Sequence, residues 1–430
     1  MRIPLIVCAG IPALVSLASA QMVPVVPSDL AVDQRFGSSV SVDSGYLLVG
    51  SMADDDNGNW SGSAYLFEVP TDSGPAGHEL VKFTANNGKA SDYFGESVAL
   101  QDGIALIGAS GNDALGTSAG CAYLFDGNPG SPTFGTQLAW LLPTGNANDW
   151  IGCSVALDSG LALVGAKGAN VGAASRGAAF LFDADPGSPT FGQQMVKLTA
   201  SDGGGGHLLG CSVSIAGGLA LLGASNATTA GGNTGAAYLF DVNPSSPTFG
   251  VQLAKFVARN GGHGDKFGFS VSLSDGGALV GAPYHDRPGF KSRDEGAAYL
   301  FDAVPGSATF GGLLTEFLPA HTFPHHFSLG YTVSLDSGFA ALGSPREDCP
   351  KPGKWNTWKA GTAYIFDADT GSPNFSDPHS KFQNPNPWYM DYFGSSICIQ
   401  DGVLAVGVPK DDTWNYDGGS VFLTRLVALR

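Results

Sequence analysis

Seven times along this chain a glycine preceded by Phe, Ile or Leu is followed, thirteen residues later, by a second glycine. The pairs are Gly37 and Gly50, Gly95 and Gly108, Gly152 and Gly165, Gly210 and Gly223, Gly268 and Gly281, Gly330 and Gly343, and Gly394 and Gly407. The spacing inside a pair never changes, while successive pairs start 57 to 64 residues apart. A fixed spacing within such a period means one supersecondary unit copied in series. A unit of that kind cannot bury its faces alone and must stack on its copies.

Each copy reads as four strands. The first follows the leading glycine, as in Ser39-Val40-Ser41-Val42 and Ser97-Val98-Ala99-Leu100, with the alternation of a strand. Short turns such as Asp102-Gly103 and Asp158-Ser159-Gly160 lead to the second strand, supplying the positive φ that tight hairpins need. The third is Ala-Tyr-Leu-Phe or close to it (Ala64 to Phe67, Ala122 to Phe125, Ala237 to Phe240). The fourth, such as Leu80-Val81-Lys82-Phe83, follows a Pro- and Gly-rich linker, and its Lys suggests an exposed edge.

Four antiparallel strands with two apolar faces, repeated seven times, predict an all-β fold: a seven-bladed β-propeller. The repeats start near residues 36, 94, 151, 209, 267, 329 and 393. The last has no fourth strand of its own, while Met22 to Val26 lies where one would precede the first repeat. The N-terminal strand is therefore expected to complete the last blade and close the ring. Two residues after each leading glycine stands a hydroxyl: Ser39, Ser97, Ser154, Ser212, Ser270, Thr332 and Ser396. These either line a channel or, as small residues favour, let adjacent sheets approach and satisfy backbone groups.

Residues 1–20 read as a signal peptide: Arg2, an apolar run from Ile3 to Val15, and Ala18-Ser19-Ala20 before Gln21. Residues 21–430 are then the propeller, expected to be secreted or held in the cell envelope, without a transmembrane segment and as a monomer. A net charge of −17 argues against nucleic acid as a partner. Beyond Cys8, five cysteines remain, too odd a number for full pairing. Cys153 and Cys211 occupy equivalent positions on neighbouring units. A disulfide is open to them, but two buried thiols is the favoured reading. Cys349, beside Pro350, is expected to be the exposed thiol.

The leading Phe-Gly, the closing Gly-Ala-Pro at Gly281 to Pro283 and the Gly-Ala-Ala-Tyr-Leu-Phe strand resemble FG-GAP repeats. Those build the propeller of integrin α subunits and of many secreted bacterial proteins, and Asp92 to Ala99 is most similar to the bacterial variety. The resemblance spans nearly the whole chain after residue 20. Calcium-binding members carry an Asp-rich loop between the first two strands. Here that connection is a tight turn, and one Asp per turn cannot supply the six to eight oxygens of a calcium site. No metal and no cofactor is therefore expected, with Asp54-Asp55-Asp56-Asn57-Gly58 the one acidic loop worth inspection.

Motifs of nucleophilic, zinc or phosphate chemistry are absent from the sequence. The informative signal is unequal decoration of the loop between second and third strands. In repeats two to four it is mostly small and polar. In repeats five, six, seven and one it carries Tyr284, Arg287, Trp355, Trp358, Trp414, Tyr416 and Trp60, with Tyr331 and Trp388 candidates nearby. The resemblance implies that this is the ligand face. These residues are the candidate ligand-binding set, for a protein or carbohydrate partner, in a non-catalytic binding or adhesion module. No catalytic residue is assigned. The alternative is an extracellular polysaccharide hydrolase or lyase using Asp286, Asp411 and Asp417, which needs paired carboxylates about 5 to 9.5 Å apart beside the tryptophans.

Overall fold

The computed structural model describes residues 22–70, 77–172, 174–286, 294–319, 327–349 and 358–426. Residues 1–20, read above as a signal peptide, lie outside them, as do Arg287 and Trp355. Seven four-stranded antiparallel sheets form a β-propeller, and no helix occurs among the described residues. In the first blade the strands are Phe36–Asp43, Tyr46–Ser51, Ser63–Glu68 and Glu79–Phe83. The first strands of neighbouring blades pack against one another all the way round, so they surround the axis. The seventh blade takes Ser396–Gln400, Val403–Val408 and Ser420–Arg425 from the last repeat and Val23–Val25 from the start of the chain. Val25 pairs with Val421, closing the ring as expected.

The two glycines of each repeat are one contact seen from two blades. Gly50 has no room for a side chain because a Cβ there would stand 2.0 Å from the carbonyl oxygen of Gly95, the leading glycine of the next blade. The same approach recurs at every junction, from Gly108 against Gly152 to Gly407 against Gly37. The carbonyl so approached also accepts a side-chain hydrogen bond. Ser39 donates to Gly95, Ser97 to Gly152, Ser270 to Gly330, Thr332 to Gly394 and Ser396 to Gly37, at 2.7–2.9 Å. At the third and fourth blades the thiols of Cys153 and Cys211 do so instead, toward Gly210 and Gly268. The hydroxyls therefore join blades, and the two cysteines are separate thiols.

Between blades the core is aromatic and aliphatic. Phe94, Tyr123 and Phe125 fill one junction with Val98, Leu100 and Leu48. One expectation needs correction. Cys349 is buried, 1% exposed, and its thiol donates to the Gly361 carbonyl at 3.0 Å; the turn after Ser344 carries it inward. Burial pushes this thiol up to about 12. The fourth strands are the outer edges of their sheets, as expected, and their lysines lie back over the blade. Lys82, Lys197, Lys255 and Lys381 each lie directly across from a third-strand aromatic, with the ammonium 5.1–5.4 Å from its ring centre.

Candidate functional site

The fold has two unlike faces. The tight turns after the first strands and the linkers after the third strands share the lower face, joined by bonds such as Gly127 N–H to Gly103 O and Ala303 N–H to Gly276 O. The loops after the second strands share the upper face with the segments that enter each first strand. There, each loop docks on the segment leading into the next blade. Tyr93 N–H bonds Trp60 O, Met390 N–H bonds Trp358 O, and Asp33 N–H bonds Tyr416 O.

An aspartate organises most of these upper loops. Asp55, Asp113, Asp286, Asp348 and Asp412 each accept a backbone N–H near the far end of their own loop, at 2.7–3.0 Å. Asp286 is thus engaged in shaping its loop. Asp411 is fully buried, accepting from the Ser420 hydroxyl and the Thr413 N–H, and Asp417 pairs with Lys410 at 3.3 Å. The three carboxylates considered for hydrolysis all have structural partners.

The aromatic residues fall into two groups. Trp358, Trp414 and Tyr416 are more than half exposed, and Trp388 and Tyr389 join them. Among the described residues no other aromatic side chain is more than half exposed. All five stand on the upper face of the sixth and seventh blades or on the segment between them. Trp60 and Tyr284 are only partly exposed and pack inward. Trp60 lies between the Arg35 guanidinium, 4.8 Å from its ring centre, and Tyr93, 5.7 Å away. Tyr284 meets Phe269 at 6.4 Å and carries the Arg346 guanidinium at 5.3 Å, and Phe269 in turn packs on Tyr331 at 4.9 Å. The predicted set is therefore split between an open aromatic sector and the mouth of the channel.

Sequence reasoning missed the residue just before the leading apolar-Gly pair. It is Arg35, Tyr93, Trp150, Leu208, Lys266, Ser328 and Tyr392 in the seven repeats, and each has φ between +51° and +61°. Its carbonyl accepts the N–H three residues on, so the chain turns sharply over the Phe-Gly bulge as it enters the inner strand. Left-handed backbone at bulky residues is costly, about 1–3 kcal/mol each, and is sustained only by the surrounding structure. The signal available was the position's variability next to an otherwise constant motif.

The acidic loop Asp54 to Asp56 also has a definite arrangement. The carboxylates of Asp29, Asp54 and Asp56 converge, and the Lys82 ammonium stands among them at 2.7, 3.1 and 2.5 Å. A cation of the chain's own thus lies within this cluster. On the lower face, a cleft of about 720 Å3 separates the fifth and sixth blades, lined by Asp275, Val304, Ser307, Thr309, Leu335 and Asp369. An equivalent cleft of about 340 Å3 lies between the second and third blades, so the feature follows from the repeat. It has none of the exposed aromatics of the upper face.

The FG-GAP repeat family matches residues 20–67, 78–125, 137–182, 193–240 and 251–301, more than half of the chain. Each matched unit ends with a third strand, and those from 78 onward begin close to an outer strand, so unit and blade are out of phase by one strand. No curated protein matches the chain significantly. No helix among the described residues is long and apolar enough to cross a membrane.

Proposed function

The chain belongs to the FG-GAP repeat family, and from that premise we propose that it is an exported, non-catalytic binding or adhesion propeller. It engages a protein or a glycan through its upper face. One observation carries this reading: among the described residues, the five most exposed aromatic side chains, Trp358, Trp388, Tyr389, Trp414 and Tyr416, gather on two adjacent blades. Exposed aromatics scattered singly need no explanation, but a rigid local group of them is the composition of a binding surface. Export is supported by the charged, apolar and small-residue segments of residues 1–20.

The test is a glycan and protein-ligand array probed with the purified chain and with Trp388→Ala and Trp414→Ala. Loss of the bound signal in both variants, with unchanged melting, is expected. Binding that survives both substitutions would remove the aromatic sector from the interface.

A further inference from the structure

The mouth of the channel carries a second chemical signature, distinct from the open aromatic sector. Three cations there lie over aromatic rings: Arg35 over Trp60, Lys167 over Trp150 at 5.5 Å, and Arg346 over Tyr284. Lys266 adds a fourth, donating to the side-chain oxygen of Asn226. They come from the first, third, fifth and sixth blades, and each stands either just before an inner strand or just after a second strand. That places them round one opening rather than along an outer edge.

Among the described residues, none of these four is in an ion pair, and neither is Lys197, whereas Lys82, Lys255, Lys381 and Lys410 are. Of the acidic groups near them, Asp265 is engaged by His285, Glu347 by Lys381 and Asp348 by the Lys359 N–H. Glu96 is held by the Ser110 hydroxyl, and burial raises its carboxyl toward the neutral form, opposed in part by Lys167. Asp417 is already taken by Lys410.

Carboxylates also stand on the surrounding upper loops, among them Asp55, Asp113, Asp348 and Asp412, where they shape their own loops. The lower-face turns carry Asp43, Asp102, Asp158, Asp275, Asp336 and Asp401, and the linkers below them begin with Asp126, Asp183, Asp241, Asp302 and Asp367. Arg425 is the one basic residue we find with them among the described residues. The net charge is thus spread over both faces, and the four cations are what distinguishes the mouth itself.

We propose that the upper mouth binds carboxylate groups of an acidic polysaccharide, a ligand class that rests on the binding role just inferred for this face. A pyranose ring offers an apolar C–H face to stack on an aromatic side chain, and a uronate places a carboxylate beside that face. An aromatic ring carrying a guanidinium or ammonium group matches both features at once. The rings are held by the loops and by the left-handed residues before each inner strand, so little ordering is needed on binding.

The experiment compares polygalacturonate with the same polymer after methyl esterification, which removes charge and keeps the backbone. Binding to polygalacturonate should weaken about tenfold or more on esterification, and similarly in Arg346→Gln and in Arg35→Gln. It should also weaken on raising salt from roughly 0.05 to 0.5 M, as the Debye length shortens. The melting temperature of each variant is read alongside, and Arg346→Lys, which keeps the charge, should recover part of the affinity.

Equal binding of charged and esterified polymer would overturn the carboxylate inference while leaving the binding role of the face intact. Polyglutamate bound as tightly as polygalacturonate would overturn the polysaccharide assignment in favour of acidic proteins. If neither acidic polymer binds while an array ligand is still captured through Trp388 and Trp414, the mouth is not an anion site.

Discussion

The hydroxyl of Ser396 donates to the carbonyl of Gly37, 2.8 Å away and 359 residues earlier in the chain. It is the same bond that joins four other pairs of blades, here made between the last repeat and the first. Replacing Ser396 with Ala leaves a buried carbonyl without its donor and should cost about 1–3 kcal/mol. Ser212 is its equivalent in the fourth blade, but Cys211 serves that junction and the Ser212 oxygen has no partner. Ser212→Ala should therefore change stability by less than about 0.5 kcal/mol. Denaturant midpoints of the two variants decide this, and equal losses would contradict the assignment.

Gly108→Ala should be among the most damaging single changes. Its Cβ would meet the Gly152 carbonyl at 2.0 Å and the Ser97 oxygen at 2.4 Å, and the backbone on the far side belongs to the next blade. A loss of about 3 kcal/mol or more is expected, or failure to accumulate folded protein. Gly130→Ala, whose added carbon meets only Asn128 at 3.4 Å, is the control and should be nearly neutral.

Lys82 stabilises three converging carboxylates, of which Asp54 is buried. Lys82→Met should destabilise by about 3 kcal/mol, because it leaves buried negative charge without compensation. Millimolar calcium should restore part of the melting temperature in this variant and shift the unaltered chain little. A rise of several degrees in the unaltered chain on adding calcium would show that the lysine does not hold the site closed.

Asp391 gives a pH dependence with a definite sign. Burial, reinforced by the carboxylates of Asp411 and Asp412, raises it from 3.8 to about 7. One of its oxygens has no partner, while the other accepts from Asn384 and the Trp388 N–H. The native fold therefore holds this proton more tightly than the unfolded chain does. The site's contribution to stability is greatest below about pH 4 and declines as pH rises toward 7, by a few kcal/mol in all. Asp391→Asn, which keeps both accepted bonds, should stabilise the chain at pH 8 and change little at pH 4. Identical pH profiles for variant and parent, followed by thermal melting, would refute this.

The opposite sign holds on the lower face. Hydrogen bonds from Ser307, Thr309 and the Val304 N–H hold the Asp302 carboxyl below its usual range. Its contribution is present at neutral pH and lost as pH falls below the ordinary carboxylate value. Asp302→Asn should destabilise the chain at pH 7 and flatten the acid limb of its stability profile, the loss shrinking as pH falls below about 4; a loss of equal size at neutral and low pH would count against it.

What could be read from sequence was whatever the backbone enforces. The paired glycines and the hydroxyl after them are fixed by one close approach, so their spacing cannot drift, and blade number and ring closure followed from it. Side-chain direction was less accessible. Lys82 reads correctly as an edge lysine, but its place over Tyr65 shows only in the pairing, and Cys349 reads as a loop thiol until the turn that buries it is seen. At the candidate site, the open aromatics Trp358, Trp414 and Tyr416 were visible because the loops of other repeats are plain. Arg35, Lys266 and Trp150 were not. They precede a motif whose turn conformation carries no composition of its own, and their partners are contributed by loops distant in sequence. Arg287 and Trp355 fall outside the described residues.

The strand Val23–Val25 is made first and finds its partner, Ser420–Arg425, last. During synthesis, nearly four hundred residues emerge while that short segment has nothing to zip against. Six blades can assemble in order as they appear, yet the wheel locks only when the tail arrives. Truncated or stalled chains would therefore present two raw sheet margins, and quality control would meet them as unfinished molecules rather than as smaller propellers.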